Sequence, residues 1–281
     1  NPDAFFTYEF AKEIIDEFTY VSWDQRGCGR TYYKNKCTDP QNKSADFEQA
    51  IKDVDELIKY LCMRFNKDKV ILMGHSYGSL LGASYVSIHP ERVEKYIGIG
   101  QVVSVKDTLK MNYSEAVDLL IDDKKKRDEL ETAYQRLEKS FNFENLMKFQ
   151  RLTVSCFIAN MPKIKQTNQI KLILSSPDLA FSDLRWLVGM LNWKAHYIKN
   201  KKLIDYALSA NIYDVGNEYD VPMFFISGEY DKSCRVDLLK KYYDEIVAPN
   251  KKIVIMKTCG HSPQFEEPVL FAKEVKQLLQ N

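Results

Sequence analysis

The residues Val70-Ile71-Leu72-Met73-Gly74-His75-Ser76-Tyr77-Gly78-Ser79 decide the fold of this chain. An apolar run ends at Gly74, Ser76 follows two residues later, and the small and apolar residues of 80–88 are typical of a helix. The pattern predicts a strand, a sharp turn and a helix, with the Ser76 hydroxyl at the apex of the turn. We expect glycine at 74 and 78 because side chains there would collide, and we expect a strained backbone at Ser76.

This Gly-x-Ser-x-Gly turn resembles the nucleophile elbow of the α/β-hydrolase family. In that family the backbone N–H of the residue after the nucleophile, here Tyr77, helps to bind the oxyanion. The resemblance implies that an acid and then a histidine follow later in the chain, in that order. A serine at position 76 also argues against relatives that use an aspartate there, such as haloalkane dehalogenases and epoxide hydrolases.

Asp231 is the candidate acid. It follows the apolar run 223–227 and Gly228, and residues that follow the strands of a parallel sheet meet at one edge. A carboxylate at that edge can accept a hydrogen bond from histidine Nδ1. The alternative is that Asp231 only caps a helix. Asp237 is a weaker candidate because it lies within the following predicted helix.

His261 is the candidate base. It stands at the tip of a turn after the last predicted strand, 252–256, where its Nε2 would face Ser76 and its Nδ1 would face Asp231. The alternative is a solvent-exposed turn histidine. His75 precedes the nucleophile, so we expect its side chain to point away from the Ser76 hydroxyl. We interpret His75 as structural, with positioning within the elbow as its other role.

Two further motifs narrow the resemblance to the proline iminopeptidase group, peptidase family S33. They are Trp23-Asp24-Gln25-Arg26-Gly27 with Gly29, and Gly260-His261-Ser262-Pro263 with Phe265, Glu266 and Pro268. The resemblance implies about three further strands and a His-Gly-Gly-Pro-Gly loop, which supplies a second oxyanion donor. These would precede Asn1, so the N-terminal strands are apparently missing from the chain.

Asp24 and Arg26 follow a segment, 18–23, whose β-branched and aromatic residues predict a strand. One hypothesis is that both charges contact substrate. The other, which we favour, is a buried Asp24–Arg26 pair that holds the shape of the loop.

The alternation of strands and helices predicts an α/β-hydrolase fold, a mostly parallel sheet flanked by helices. Strand patterns disappear after residue 103 and apolar residues take helical spacing until about 217. We therefore predict a core of 1–103 and 218–281 with a helical cap inserted at 104–217.

Trp186, Trp193 and Glu229 are candidate substrate contacts. Substrate pockets are mostly apolar and aromatic, but for either tryptophan alone we favour the alternative of ordinary packing in the cap core. An aminopeptidase also needs carboxylates near the pocket for the substrate ammonium. Where iminopeptidases carry a Trp-Glu pair in the cap, this chain has Asn192-Trp193-Lys194. A positive group thus replaces the negative one.

The chain of 281 residues has 40 Lys and Arg, 39 Asp and Glu, and a net charge of +1. This balance gives no reason to expect nucleic acid or a membrane surface as a partner. Six scattered cysteines are typical of reduced thiols in a cytoplasmic protein. The four histidines show no metal-binding spacing, and we expect neither a metal nor a cofactor. The oligomeric state stays open.

The sequence predicts a serine hydrolase that works through an acyl-enzyme, and the resemblance implies the proline iminopeptidase type acting on small peptides. A carboxylesterase acting on small esters is the alternative within the same chemistry. A small-molecule binder without turnover is the alternative outside it, because a fold does not determine a function.

Overall fold

A parallel sheet of four strands lies at the centre of the structure, a computed structural model that describes residues 4–160, 173–174 and 176–280. The strands are β1 (Val70–His75), β2 (Val93–Ile99), β3 (Met223–Gly228) and β4 (Lys251–Met256), and they pair in that order. Every pairing is parallel. The predicted α/β fold with a parallel sheet and flanking helices is confirmed.

The described helices precede, separate and follow these strands. Their bounds are α1 Ala4–Ala11, α2 Gly29–Asn35, α3 Phe47–Phe65, α4 Tyr77–Ile88, α5 Val105–Leu119, α6 Lys124–Lys139, α7 Phe143–Asn160, α8 Phe181–Met190, α9 Trp193–Lys199, α10 Lys201–Leu208, α11 Val236–Glu245, α12 Pro263–Glu266 and α13 Pro268–Leu279. None of these helices combines the length and the apolar character that crossing a membrane requires.

Two hydrophobic cores cover the two faces of the sheet. Successive side chains of a strand point to opposite faces, so Tyr96 and Phe225 lie in one core and Ile97 and Phe224 in the other. The first core is completed by α3, α4 and α11, and the second by α1 and α13. Helices on both faces bury the sheet, and the carboxyl ends of the strands stay free to carry a site.

The long helix α3 begins directly after Asp46. The Asp46 carboxylate accepts a hydrogen bond from the N–H of Gln49 and so caps the helix, which ends at Asn66 in a left-handed conformation with φ of 50°. The caps at its two ends stabilise α3 locally. Its apolar residues recur at helical spacing on one face, and the packing of this face stabilises the helix further.

One N-terminal prediction needs correction. Helix α1 ends at Ala11 and the chain continues as turns, and the strand predicted over 18–23 is not part of the described sheet. A strand needs a hydrogen-bonded neighbour, and β1 to β4 pair only among themselves within the described residues. The β-branched and aromatic residues of 18–23 favoured a strand but could not supply that neighbour.

The chain divides into two compact units, one of residues 1–104 and 165–281 and one of 105–164. Helices α8, α9 and α10 fall in the unit that contains the sheet, although the sequence analysis assigned them to the inserted cap. The cap boundaries of 104 and 217 stay a prediction.

The smaller unit consists of α5, α6 and α7, whose apolar residues form a core of their own. Leu130, Leu137 and Phe149 are buried there, and the rings of Tyr113 and Tyr134 stack with centroids 4.0 Å apart. Helices with an apolar stripe need such a partner surface, which each of the three finds in the other two.

Candidate active site

Ser76 lies at the sharp turn between β1 and α4. Its backbone has φ of 53° and ψ of −120°, a conformation that residues with a side chain rarely adopt. This is the strain that the sequence predicted at the elbow. Because the surrounding fold enforces it, the hydroxyl is held out at the carboxyl edge of the sheet.

The two glycines of the motif have different roles. A Cβ at Gly74 would lie 2.2 Å from the carbonyl oxygen of Gly78, so no side chain fits there. A Cβ at Gly78 would meet nothing within 4 Å. The expectation that crowding requires both glycines is therefore wrong for Gly78, which faces open space.

The structure brings Ser76, His261 and Asp231 into one line of contacts. Nε2 of His261 lies 2.9 Å from Oγ of Ser76, and Nδ1 of His261 lies 2.9 Å from Oδ2 of Asp231. These three side chains come from three separate strand ends, 155 and 30 residues apart by number (231 − 76 and 261 − 231). With Nδ1 protonated, the Nε2 lone pair faces the hydroxyl, the arrangement that a general base requires.

Asp231 is fixed in this position by its second oxygen. Oδ1 accepts hydrogen bonds of 2.8 Å from the backbone N–H groups of Ser233 and Cys234, and the side chain is fully buried. The carboxylate thus caps the following turn and contacts His261 at the same time. The competing candidate, Asp237, is exposed and pairs with Arg235.

The charge state of His261 depends on its acidic neighbours. Burial alone would lower the pKa of His261, but the carboxylates of Asp231 and Glu266 outweigh it and raise this pKa above the ordinary histidine value. Glu266 also accepts hydrogen bonds from the backbone N–H groups of Gly260 and Ser262, on either side of His261. Glu266 belongs to the sequence motif around His261, but the motif alone does not indicate this role.

His75 holds the same loop from the side of the elbow. Its Nε2 lies 2.9 Å from the backbone oxygen of His261, while the two rings are 4.8 Å apart. Burial, with His261 as a further cause, lowers the pKa of His75 to about 4, so the ring is neutral near pH 7 and donates its Nε2 proton to that oxygen. The structural interpretation of His75 agrees with these contacts.

Two residues close to Ser76 and His261 had no signal in the sequence. Gly100, at the end of β2, has φ of 51°, and a Cβ there would lie 3.2 Å from both Oδ2 of Asp231 and Nδ1 of His261. Cys234 is buried and its thiol hydrogen-bonds to Ser76; burial raises the pKa of this thiol well above the ordinary value. Only the folded chain shows that these residues adjoin the site.

Tyr77, the predicted oxyanion donor, is the first residue of α4. The N–H groups of a first helical turn have no acceptor within the helix, so that of Tyr77 is available beside the Ser76 hydroxyl. Its side chain packs edge-on against Phe47, and its phenol oxygen is buried without a hydrogen-bond partner among the described residues.

The three candidate substrate contacts lie in different surroundings. Trp186 is buried against Tyr32 and Cys28, whereas Trp193 is half exposed, and both rings contact His196. Glu229 is exposed at the end of β3. The two tryptophans are thus both in contact with the ring of His196. Glu229 stands two positions before Asp231 in the sequence.

Asp24 and Arg26 do not form the expected pair. Arg26 makes a two-pronged ion pair with Asp53, at 2.7 and 2.8 Å, and Asp24 accepts the backbone N–H of Arg30 at 2.7 Å. The expected pair is wrong because Arg26 finds a carboxylate on α3, 27 residues away, and Asp24 accepts a backbone N–H within its own loop. Both residues line a cavity of about 340 Å³ with Asp53 and Glu56.

Comparison with known proteins identifies the protein family that this chain matches. A family model described as the alpha/beta hydrolase fold matches residues 3–268. The probable aminopeptidase YbaC of Bacillus subtilis (strain 168) is 26% identical over 300 residues, which cover 99% of this chain and 85% of that protein. A proline iminopeptidase of Saccharolobus solfataricus is 22% identical over 264 residues, covering 92% of this chain and 74% of that protein. The crystal structure of VinJ matches with a TM-score of 0.65 at 14% identity, over 99% of this chain and 86% of VinJ.

Proposed function

The chain belongs to the alpha/beta hydrolase family, and from that membership we propose that it is a serine hydrolase in which Ser76 is the nucleophile. The observation that carries the proposal is the line of contacts from Ser76 Oγ to His261 Nε2 and from His261 Nδ1 to Asp231, both at 2.9 Å. A serine hydroxyl is a weak nucleophile at neutral pH and needs such an adjacent base.

In the proposed reaction, Oγ of Ser76 attacks the substrate carbonyl carbon while Nε2 of His261 takes the hydroxyl proton. Asp231 stabilises the imidazolium that forms, and the backbone N–H of Tyr77 donates to the developing oxyanion. The intermediate collapses as the C–N or C–O bond breaks, and His261 gives its proton to the leaving group. Water activated by His261 then hydrolyses the acyl-Ser76 ester and restores the hydroxyl.

We assign the substrates to small peptides with a free amino terminus. Two relatives with the names aminopeptidase and proline iminopeptidase align over most of this chain, and the sequence motifs around Trp23 and His261 resemble the same group. A carboxylesterase is the alternative, because the same three side chains cleave esters and do not themselves require an amine.

An activity-based probe tests the nucleophile. A fluorophosphonate should label the wild-type chain and should not label Ser76→Ala. Ser87→Ala is the matched control because Ser87 is exposed on the same helix, so that variant should label like the wild type. Absence of labelling in the wild type would favour a binder without turnover.

Matched substrates test the specificity. We expect a prolyl or alanyl arylamide to be cleaved, and we expect acetylation of its amine to lower kcat/KM about 10²-fold or more, because a site built around an ammonium rejects its neutral analogue. Equal turnover of the blocked substrate and of an aryl ester would instead identify an esterase.

A further inference from the structure

Three different metal-binding side chains meet beside Ser76. A carboxylate oxygen of Asp231, a ring nitrogen of His261 and the sulfur of Cys234 all lie within 4.8 Å of one another. The catalytic roles proposed above use Asp231 and His261 and leave Cys234 without a function. Cys234 is nevertheless buried, and its thiol hydrogen-bonds to Ser76.

We propose that Asp231, Cys234 and His261 bind Zn²⁺, and that the bound metal switches off the hydrolase. Zn²⁺ takes Cys sulfur, His nitrogen and Asp oxygen in tetrahedral sites, with bond lengths of about 2.0–2.3 Å. Ligand atoms of such a site are therefore about 3.3–3.8 Å apart. The present separations of 4.8 Å or less require side-chain adjustments of about 1 Å and no change in the fold.

The surroundings of the three ligands suit a dipositive ion. Asp231 is oriented by two backbone N–H groups, and such outer contacts increase metal affinity. The Cys234 thiol loses its proton to solvent as the zinc–sulfur bond forms, so binding releases one proton. The two resulting negative charges balance the charge of the metal. The His261 side chain is 28% exposed, so one of the three ligands reaches solvent, whereas Asp231 and Cys234 are buried.

Loss of activity follows from either mode of histidine binding, and this part of the inference rests on the proposed function. If Nε2 binds the metal, its lone pair is no longer available to Ser76. If Nδ1 binds the metal, Nε2 of the neutral ring carries the proton and again cannot accept one. In both cases His261 can no longer act as the base.

Direct binding of Zn²⁺ tests the site without reference to activity. By titration calorimetry we expect one Zn²⁺ per chain, and we expect Cys234→Ala to weaken binding about tenfold or more because a ligand is lost. Cys62→Ala, which removes a buried thiol of α3, should leave the affinity unchanged. With Co²⁺ as the probe, a thiolate-to-metal absorption band should appear in the wild type and be absent in Cys234→Ala. Equal affinities of wild type and Cys234→Ala, or no binding, would overturn the proposal.

Two further measurements separate this inference from the proposed function. Ser76→Ala should still bind Zn²⁺ with the wild-type affinity, so the metal site can be established even if the chain proves not to hydrolyse any substrate. In the wild type, Zn²⁺ should abolish fluorophosphonate labelling, and chelation should restore it. Metal binding with undiminished labelling would show that the ion does not switch off Ser76.

Discussion

The side chain of His75 donates a hydrogen bond from Nε2 to the backbone oxygen of His261, across 2.9 Å. The residue immediately before the candidate nucleophile thereby holds the loop that carries the candidate base. The two residues are 186 positions apart in the chain. A contact that involves neither of the side chains of Ser76 and His261 therefore links the elbow to the loop of His261.

We expect His75→Ala to lower kcat about 10- to 100-fold with little change in KM, because small displacements of a catalytic group have effects of this size. His75→Gln keeps an N–H donor at this position and should recover part of the rate. Steady-state kinetics on both variants, with circular dichroism to verify folding, measure the effect. Equal rates for His75→Ala and the wild type would show that the hydrogen bond does not position His261.

Glu266 should set part of the pH dependence. The raised pKa of His261 means that kcat/KM falls as the pH drops through a value above 6.5, since the protonated ring cannot act as a base. Glu266→Gln removes a negative charge that favours the imidazolium, so the acidic limb should move to lower pH. The pH profile of kcat/KM measures this shift, with Glu267→Gln as the control for a neighbouring carboxylate. A limb that stays in place, or that moves to higher pH, would contradict the assignment.

The glycines of the elbow should respond differently to alanine. Gly74→Ala forces a Cβ to within 2.2 Å of a backbone oxygen and should unfold the elbow or abolish expression of soluble protein. Gly78→Ala meets open space in the first turn of α4 and should raise stability by about 0.4–1 kcal/mol, because alanine restricts the unfolded chain. Thermal denaturation of the two variants decides between this view and an equal requirement for both glycines.

The contrast between these glycines shows what the sequence could predict. The strand, turn and helix around Ser76 were predictable from the local pattern, and the resemblance to the α/β-hydrolase family implied that Asp231 and then His261 would follow. The shared edge of parallel strands explains why the three residues meet. The motif itself could not show that Gly78 faces open space. The strand predicted over 18–23 failed for a related reason, since a run of β-branched and aromatic residues does not specify a hydrogen-bonded neighbour.

Residues that join the site through the fold were not predictable from local patterns. Cys234 lies three residues after Asp231, and these two residues alone do not form a known metal-binding motif. The third side chain of the cluster, His261, follows a different strand, β4. Gly100 approaches the site from the end of β2. The partner of Arg26 was also missed, since Asp53 lies on a separate helix.

Gly100→Ala should impair activity more than stability. A left-handed conformation costs an alanine about 1–2 kcal/mol, a loss that a domain of this size tolerates. The new methyl group would nevertheless press on the contact between Asp231 and His261, so we expect fluorophosphonate labelling to slow about tenfold or more. Gly216→Ala is the matched control, because Gly216 also has a positive φ but has open space around it. Similar labelling rates for the two variants would exclude a specific effect at position 100.

An ion pair between Arg30 and Asp183 should stabilise the contact of α2 with α8. The Arg30 guanidinium lies 2.6 Å from the Asp183 carboxylate, which is 1% exposed, whereas Arg30 is 44% exposed. Arg30→Met would leave a buried carboxylate without its cation. We expect a loss of about 1–3 kcal/mol at pH 7, less than for a fully buried pair because water screens Arg30.

The same pair predicts a dependence on pH. Burial alone would raise the pKa of Asp183, but the hydrogen bonds from Arg30 and Ala180 lower it below the ordinary value of 3.8. The stabilisation is therefore present above that value and is lost as the pH falls through the lowered pKa. Urea denaturation of wild type and Arg30→Met at several pH values should give free energies of unfolding that converge in acid. A difference that stays constant down to low pH would mean that Arg30 acts through packing and not through its charge.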